Sequence, residues 1–194
     1  MNKFARAFVI VVFTGLVAGY CARVVQVNSN LDLPVVKTYE KGKVVPYDKD
    51  FMGDATISPE GYSVQVLDTH TYTKKEFTEK YDVTIGKEQP CEYVYTVDLK
   101  IYNDNKELDE MNGISVYNMY LKSTNYFSYP DGELTVQVSS LPGIGFSLRP
   151  ESNMDITLVY TMNEEYFDDI DEIKNTDFRM MITDYPTAKL LELG

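Results

Sequence analysis

Apolar and polar positions alternate with a period of two through most of this chain beyond its N-terminal segment. From Tyr93 to Tyr102 one face reads Tyr93, Tyr95, Val97, Leu99 and Ile101, and the other Val94, Thr96, Asp98, Lys100 and Tyr102. That is the pattern of a strand with one side in a core. The same spacing predicts strands over 62–67, over 133–138 through Leu134, Val136 and Val138, over 154–160 and over 178–182. Weaker strands are expected over 35–39, 43–46, 114–121, 145–148 and 188–193, separated by turn formers such as Lys41-Gly42, Asn112-Gly113 and Leu141-Pro142-Gly143. Two segments carry a helical period instead. Thr73-Lys74-Lys75-Glu76 reads as a capping box ahead of Phe77 and Tyr81. Residues 164–174 repeat Tyr166, Ile170 and Ile173, with acids in the first turn and Lys174 near the end. Many short strands with two short helices predict a mainly β fold, an immunoglobulin-like antiparallel β-sandwich.

The N-terminal segment follows another pattern. Between Arg6 and Arg23 lie sixteen uncharged residues, Ala7 to Ala22, with a Val/Ile/Phe-rich centre. As a helix this run covers ~24 Å, short of a hydrocarbon core of ~30 Å. Outward-bent arginines extend the usable span to about Phe4–Val27. The favoured reading is an uncleaved signal anchor crossing the bilayer through residues 7–22, with Lys3, Arg6 and the terminal amine held in the cytoplasm and Arg23 flanking the far end. A cleaved secretory signal suits the basic start, but Val17-Ala18-Gly19 and Gly19-Tyr20-Cys21 are poor cleavage sites. Lipidation at Cys21 is disfavoured by Tyr20 before it. All three readings place the remainder outside the cytoplasm. The chain then divides into an anchor over 1–27, a stalk with a small hairpin over 28–58 and a sandwich domain over 59–194.

Charge and composition narrow the chemistry. The chain has 18 Lys+Arg against 30 Asp+Glu, and residues 28–194 carry 15 of those bases and all 30 acids. Such an acidic surface excludes a nucleic-acid partner, which needs a basic face to displace counterions. Two cysteines, Cys21 and Cys91, exclude a disulfide scaffold, and Cys91 is expected as a small buried hydrophobe. A serine triad needs a His base; the one His, His70, is expected in a loop, and the chain has no G-x-S-x-G elbow. One His and one outer Cys fall short of a zinc site. The run Glu164, Glu165, Asp168, Asp169, Asp171, Glu172 contains weak calcium candidates in Asp168, Asp169 and Asp171. It lacks the Gly and distal Glu of a calcium loop, so a solvated helix face is expected. Asp48-Lys49-Asp50 fails the same test, and Gly143-Ile144-Gly145 lacks the third glycine of a dinucleotide loop. No catalytic residue and no cofactor is expected. The sixteen Tyr, with no Trp, read as half-buried strand positions rather than a ligand platform.

Several short motifs occur together: the basic start with its apolar helix, Tyr39-Glu40-Lys41-Gly42 leading to Val45-Pro46, Gly61-Tyr62-Ser63-Val64, the Glu76-Phe77 to Tyr81 helix, Leu148-Arg149-Pro150 and the closing Tyr185-Pro186-Thr187-Ala188-Lys189. In this combination the chain resembles an uncharacterised Firmicutes family of single-pass envelope proteins grouped as a domain of unknown function. The resemblance implies an extracytoplasmic β-sandwich in a Gram-positive bacterium and brings no catalytic residues with it. The expected role is an envelope binding or accessory module rather than an enzyme, its partner a membrane protein complex, a peptide or a wall polymer. The alternative is a secreted or tethered carboxylate-based hydrolase of the glycosidase kind, which two suitably spaced acids would permit.

Overall fold

The computed structural model describes residues 2–29, 34–53, 57–86, 90–107 and 111–194. The chain forms two compact units, Met1–Leu33 and Pro34–Gly194.

The first unit is a helix, α1 (Lys3–Asn28). Its stretch Phe8–Asn28, 21 residues, contains 18 consecutive residues with a mean hydropathy of 2.1 and is nowhere buried. A helix satisfies its own backbone donors and acceptors, which is what an apolar environment demands. Exposed Arg6 lies in its first turn, and the helix runs on through Arg23, whose guanidinium donates to Gln26 Oε1 at 2.9 Å. Beyond Arg23 the helix adds Val24, Val25 and Val27, in keeping with the expected usable span to about Val27.

The second unit is mainly β. Its strands are β1 (Val35–Tyr39), β2 (Val44–Pro46), β3 (Tyr62–Thr73), β4 (Tyr93–Asn103), β5 (Ile114–Ser115), β6 (Tyr120–Lys122), β7 (Phe127–Ser128), β8 (Gly145–Phe146), β9 (Ser152–Met162), β10 (Arg179–Thr183) and β11 (Thr187–Glu192). Helices α2 (Lys74–Tyr81), α3 (Gly132–Ser139) and α4 (Ile170–Asn175) lie between them. One sheet has the order β1-β11-β10-β6-β7, a second β2-β3-β4-β9, and β5 pairs with β8. A single buried cluster draws Val64, Val97, Leu99 and Leu158 from the second sheet and Leu121, Met180, Ile182 and Leu191 from the first. Alternation along β4 and β9 therefore does what it predicts: the odd positions of β4 from Tyr95 to Ile101 enter this core. The opposite face of the second sheet carries Val94 and Val159 into a smaller cluster with Phe77, Ile85, Cys91 and Leu134.

The capping box forms as expected. Glu76 Oε2 accepts from Thr73 N–H at 2.8 Å, Thr73 Oγ1 accepts from Glu76 N–H at 3.3 Å, and the Phe77 and Tyr81 rings stack at 4.9 Å.

Four expectations are corrected. Residues 133–138 form no strand; they lie in α3, capped by Asp131, whose carboxylate accepts from Leu134 N–H at 3.0 Å. Leu134 and Val138, four apart, also share one helical face, and the Asp131 cap decides for the helix. The expected helix over 164–174 shrinks to the six residues Ile170–Asn175, because Asp169 is its N-cap, accepting from Asp171 and Glu172 N–H. The expected strand over 114–121 breaks at a 3-10 turn, Val116–Asn118, so that β5 and β6 join different sheets. Finally, β1 and β2 do not make a hairpin. β1 pairs in parallel with β11, while β2 pairs antiparallel with β3, and the described residues from Pro34 onward belong to the second unit. The β1/β11 pair is also a parallel element in a unit expected to be antiparallel throughout.

Candidate functional site

Part of the second sheet's β3 edge lacks a strand partner among the described residues because the strand lengths are unequal. β2 pairs with β3 through Val44↔Gln65, Val45↔Val64 and Pro46↔Ser63. β3 continues to Thr73, and past Gln65 its outer edge has no strand partner among the described residues. A register shift between Val66 and Asp68 marks a bulge there. Such a bulge twists the strand and re-aims the side chains that follow. It also breaks the period of two, which is why the expected strand stops at Leu67 and why His70 is expected in a loop. The structure places His70 within β3, opposite Thr96 of β4.

Along this free edge runs a cleft of about 570 Å³, with Thr69, His70, Tyr72 and Tyr95 on one side and Thr176 and Phe178 on the other. Thr69 Oγ1 donates to Leu193 O at 3.4 Å and ties the edge to the end of the last strand. His70 Nε2 lies 3.4 Å from Asp98 Oδ2 and 3.8 Å from Asp68 Oδ2. Asp98 is oriented from behind by Thr157, whose hydroxyl donates to its Oδ1 at 2.6 Å. Asp68 accepts from Thr69 N–H at 2.8 Å and from Lys41 Nζ at 3.2 Å. The Thr69 N–H first, and Lys41 after it, hold the Asp68 carboxyl below its ordinary 3.8. Beyond His70, Tyr72 accepts from Lys80 Nζ, which also sits over the Tyr72 and Tyr81 rings at 4.8 and 5.1 Å. That hydrogen bond is the main reason the Lys80 ammonium is held above its ordinary range. The cleft thus borders a strand edge without a strand partner, with His70 in its wall, while Asp68 and Asp98, the carboxylates near His70, do not line it. Such a strand edge can pair with an extended peptide.

A second cluster was not foreseen. Lys189 on β11 is buried; its Nζ donates to Pro46 O at 2.6 Å, Tyr47 O at 3.0 Å and Asp48 Oδ2 at 2.8 Å, and forms an ion pair with Asp50 Oδ2 at 2.8 Å. Asp50, also buried, accepts from Thr187 N–H at 3.0 Å. Asp48 takes a left-handed backbone, φ 56°, which Asp tolerates better than most residues. This clamp joins the segment after β2 to the last strand. The sequence held a trace of it: a Lys interrupting the apolar end of the chain, and two acids around Lys49.

The remaining candidates are accounted for locally. Asp169 caps α4, Asp171 pairs with Lys174 at 3.1 Å, and Asp168 N–H donates to Glu172. Among the described residues no three His, Cys, Asp or Glu converge as a metal site. Cys91 is buried with its thiol donating to Tyr93 O at 3.4 Å, and burial pushes the thiol above its ordinary range. Native protein should therefore leave Cys91 unlabelled by iodoacetamide while Cys21, exposed on α1, reacts when detergent-solubilised. Cys91→Ser should cost about 1–3 kcal/mol in a denaturant titration. Fast native labelling of Cys91 would assign the thiol a role at the surface.

A family model described as a domain of unknown function (DUF5028) matches residues 36–189. Neither a curated protein nor a solved structure gives a match.

Proposed function

Since the chain belongs to the DUF5028 family, a domain of unknown function, we propose a function from its own geometry: a membrane-anchored, extracytoplasmic module that binds an extended segment of a partner protein along β3. The observation that carries this reading is the unpaired edge of β3, open on the cleft that holds His70. Strand addition at such an edge supplies affinity through main-chain hydrogen bonds and selectivity through alternate side chains. A strand edge with no partner strand among the described residues leaves main-chain donors and acceptors for such pairing, and its position beside a cleft favours a docking role. The unburied apolar helix Phe8–Asn28 supports a single-pass anchor, with the N-terminus cytoplasmic by the placement of Lys3 and Arg6. A core shared by two sheets supports the immunoglobulin-like sandwich, and the resemblance noted above supports a Gram-positive envelope.

A photocrosslinking residue in place of Thr71, in the tagged full-length chain, tests the reading in native membranes. A discrete crosslinked partner, absent when the same residue replaces exposed Tyr166, is the expected result. The mass of the mature chain is read in the same experiment. Crosslinks that are diffuse or equal at both positions would remove the β3 edge as the binding site. A chain shortened by about twenty residues would replace the anchored form with a secreted one.

A further inference from the structure

Charge is unevenly distributed over the second unit. Residues 34–49 carry four Lys, at 37, 41, 43 and 49, against two acids, whereas residues 50–194 carry 11 basic and 27 acidic side chains. The basic stretch coincides with β1, the turn after it and β2. β1 is the edge of its sheet, and its residues from Val35 to Thr38 are exposed. Val35 is 60% exposed, Val36 63% and Val44 47%, so apolar side chains stand among the lysines. Lys41 pairs with Asp68 on β3, while Lys37 and Lys43 enter no ion pair among the described residues.

We propose that β1 and the turn into β2 lie on the surface of an anionic bilayer, the one spanned by the chain's own helix. The inference rests on the anchored reading above. Three observations favour lipid over another occupant. Six residues separate Asn28 from Val35, and the seven fully extended steps between them reach at most about 25 Å. Whatever the linker's path, β1 is confined near the membrane in which the helix sits. An anionic surface attracts each nearby Lys by about the energy that shifts an equilibrium fivefold, and the attraction fades within a Debye length. The same surface repels the acidic remainder, so one field both draws the basic edge down and turns the rest of the unit away. Finally, exposed valines flanked by lysines match the boundary between headgroups and acyl chains, where apolar and cationic groups are favoured side by side. The contact also covers the outer edge of β1, which would otherwise template pairing with other chains.

The chain has no Trp, so a single introduced indole reports its own surroundings. Val36→Trp, at an exposed position, and Phe13→Trp, in the helix, are made separately in the full-length chain. Each is reconstituted into vesicles of phosphatidylcholine alone or mixed with phosphatidylglycerol. In the anionic vesicles, Val36→Trp should be quenched by brominated lipid and protected from aqueous iodide. Lys37→Gln with Lys43→Gln should weaken that association by on the order of 25-fold, from loss of two attracted charges. Val36→Trp that stays open to iodide in both vesicles, while Phe13→Trp is quenched by brominated lipid, would overturn the surface contact and leave the anchor standing. Phe13→Trp unquenched by brominated lipid would overturn the anchor and the surface contact together. Lipid quenching at Val36→Trp that is equal in neutral and anionic vesicles would overturn the electrostatic basis of the contact.

Discussion

Lys189→Met should destabilise the second unit by about 3–5 kcal/mol, the usual cost of leaving a buried charge without its partner. Met matches the length of the Lys stem, so the loss falls on the ammonium rather than on packing. Its four oxygen neighbours belong to one segment, Pro46 to Asp50, and the exposed Asp48 can turn to water, whereas Asp50 is buried. Burial alone would raise the Asp50 carboxyl, but the hydrogen bond and charge of Lys189, with the Thr187 N–H, outweigh it and hold the group below 3.8. Burial would likewise lower Lys189, and Asp48 and Asp50 outweigh it to hold the ammonium above 10.5. The signs follow from linkage. The Asp50 contribution is complete above 3.8 and is lost as pH falls through its lower folded value. The Lys189 contribution is complete below 10.5 and is lost as pH rises through its higher folded value. Urea unfolding of the full chain in detergent should thus show a stability plateau at neutral pH. The gap between parent and variant should narrow in acid, where Asp50 becomes neutral in both. Adding Asp50→Asn to Lys189→Met should recover part of the loss, because the stranded charge is then gone. A variant within about 0.5 kcal/mol of the parent at pH 7 would make the clamp a surface pair of no consequence.

What was legible beforehand follows from how many constraints each segment satisfies alone. β4 and β9 announce themselves because they are long, each has one face in the core, and eleven register pairs join them without a break. The capping box is legible because both partners lie within four residues, and the family resemblance and the matched family model agree on a domain of unknown function. The Ala7–Ala22 run is legible because nothing but apolarity and length defines such a helix. The misread segments are those whose outcome depends on distant partners. β1 and β2 look like two halves of a hairpin across Lys41-Gly42, yet each finds a better edge elsewhere, β1 on a strand some 150 residues later in the chain. The helix expected over 164–174 starts late because Asp169 offers its carboxylate to two N–H groups, which Glu164 does not.

The candidate site was hidden for a related reason. His70 was visible as a residue but not as a position, because a one-residue bulge breaks the pattern that would have extended β3 to it. Asp98 and Thr157, which orient it, are polar members of strands recognised from their apolar members. The free edge of β3 is a property of β2 being three residues long and pairing no further than Gln65, and no local pattern in β3 encodes it. The Lys189 clamp likewise brings together residues about 140 positions apart.

The same contrast between edges yields the second large effect. Strand β9 is the other edge of the second sheet, and α3 seals it with side chains instead of a strand. Thr135 Oγ1 accepts from Val159 N–H at 3.1 Å, and Ser139 Oγ accepts from Thr157 N–H at 2.8 Å and donates to Thr157 O at 3.0 Å. Asp131 N–H donates to Val159 O at 2.7 Å. Residues four apart on a helix share a face, so 135 and 139 meet the strand while Leu134 and Val138 fill the smaller core cluster. Thr135→Val with Ser139→Ala removes both hydroxyls at nearly constant shape and strands two backbone donors of β9. Each stranded donor costs about 1–3 kcal/mol, so the pair should lower stability by roughly 2–6 kcal/mol. Loosening of α3 should then uncover the β9 edge, and the variant should self-associate in sedimentation runs at concentrations where the parent does not. Thr135→Ser with Ser139→Thr keeps both hydroxyls and should stay near the parent in both measurements. Equal stability of the two double variants would mean that water replaces the hydroxyls and that packing of Leu134, rather than the helix's polar face, protects this edge.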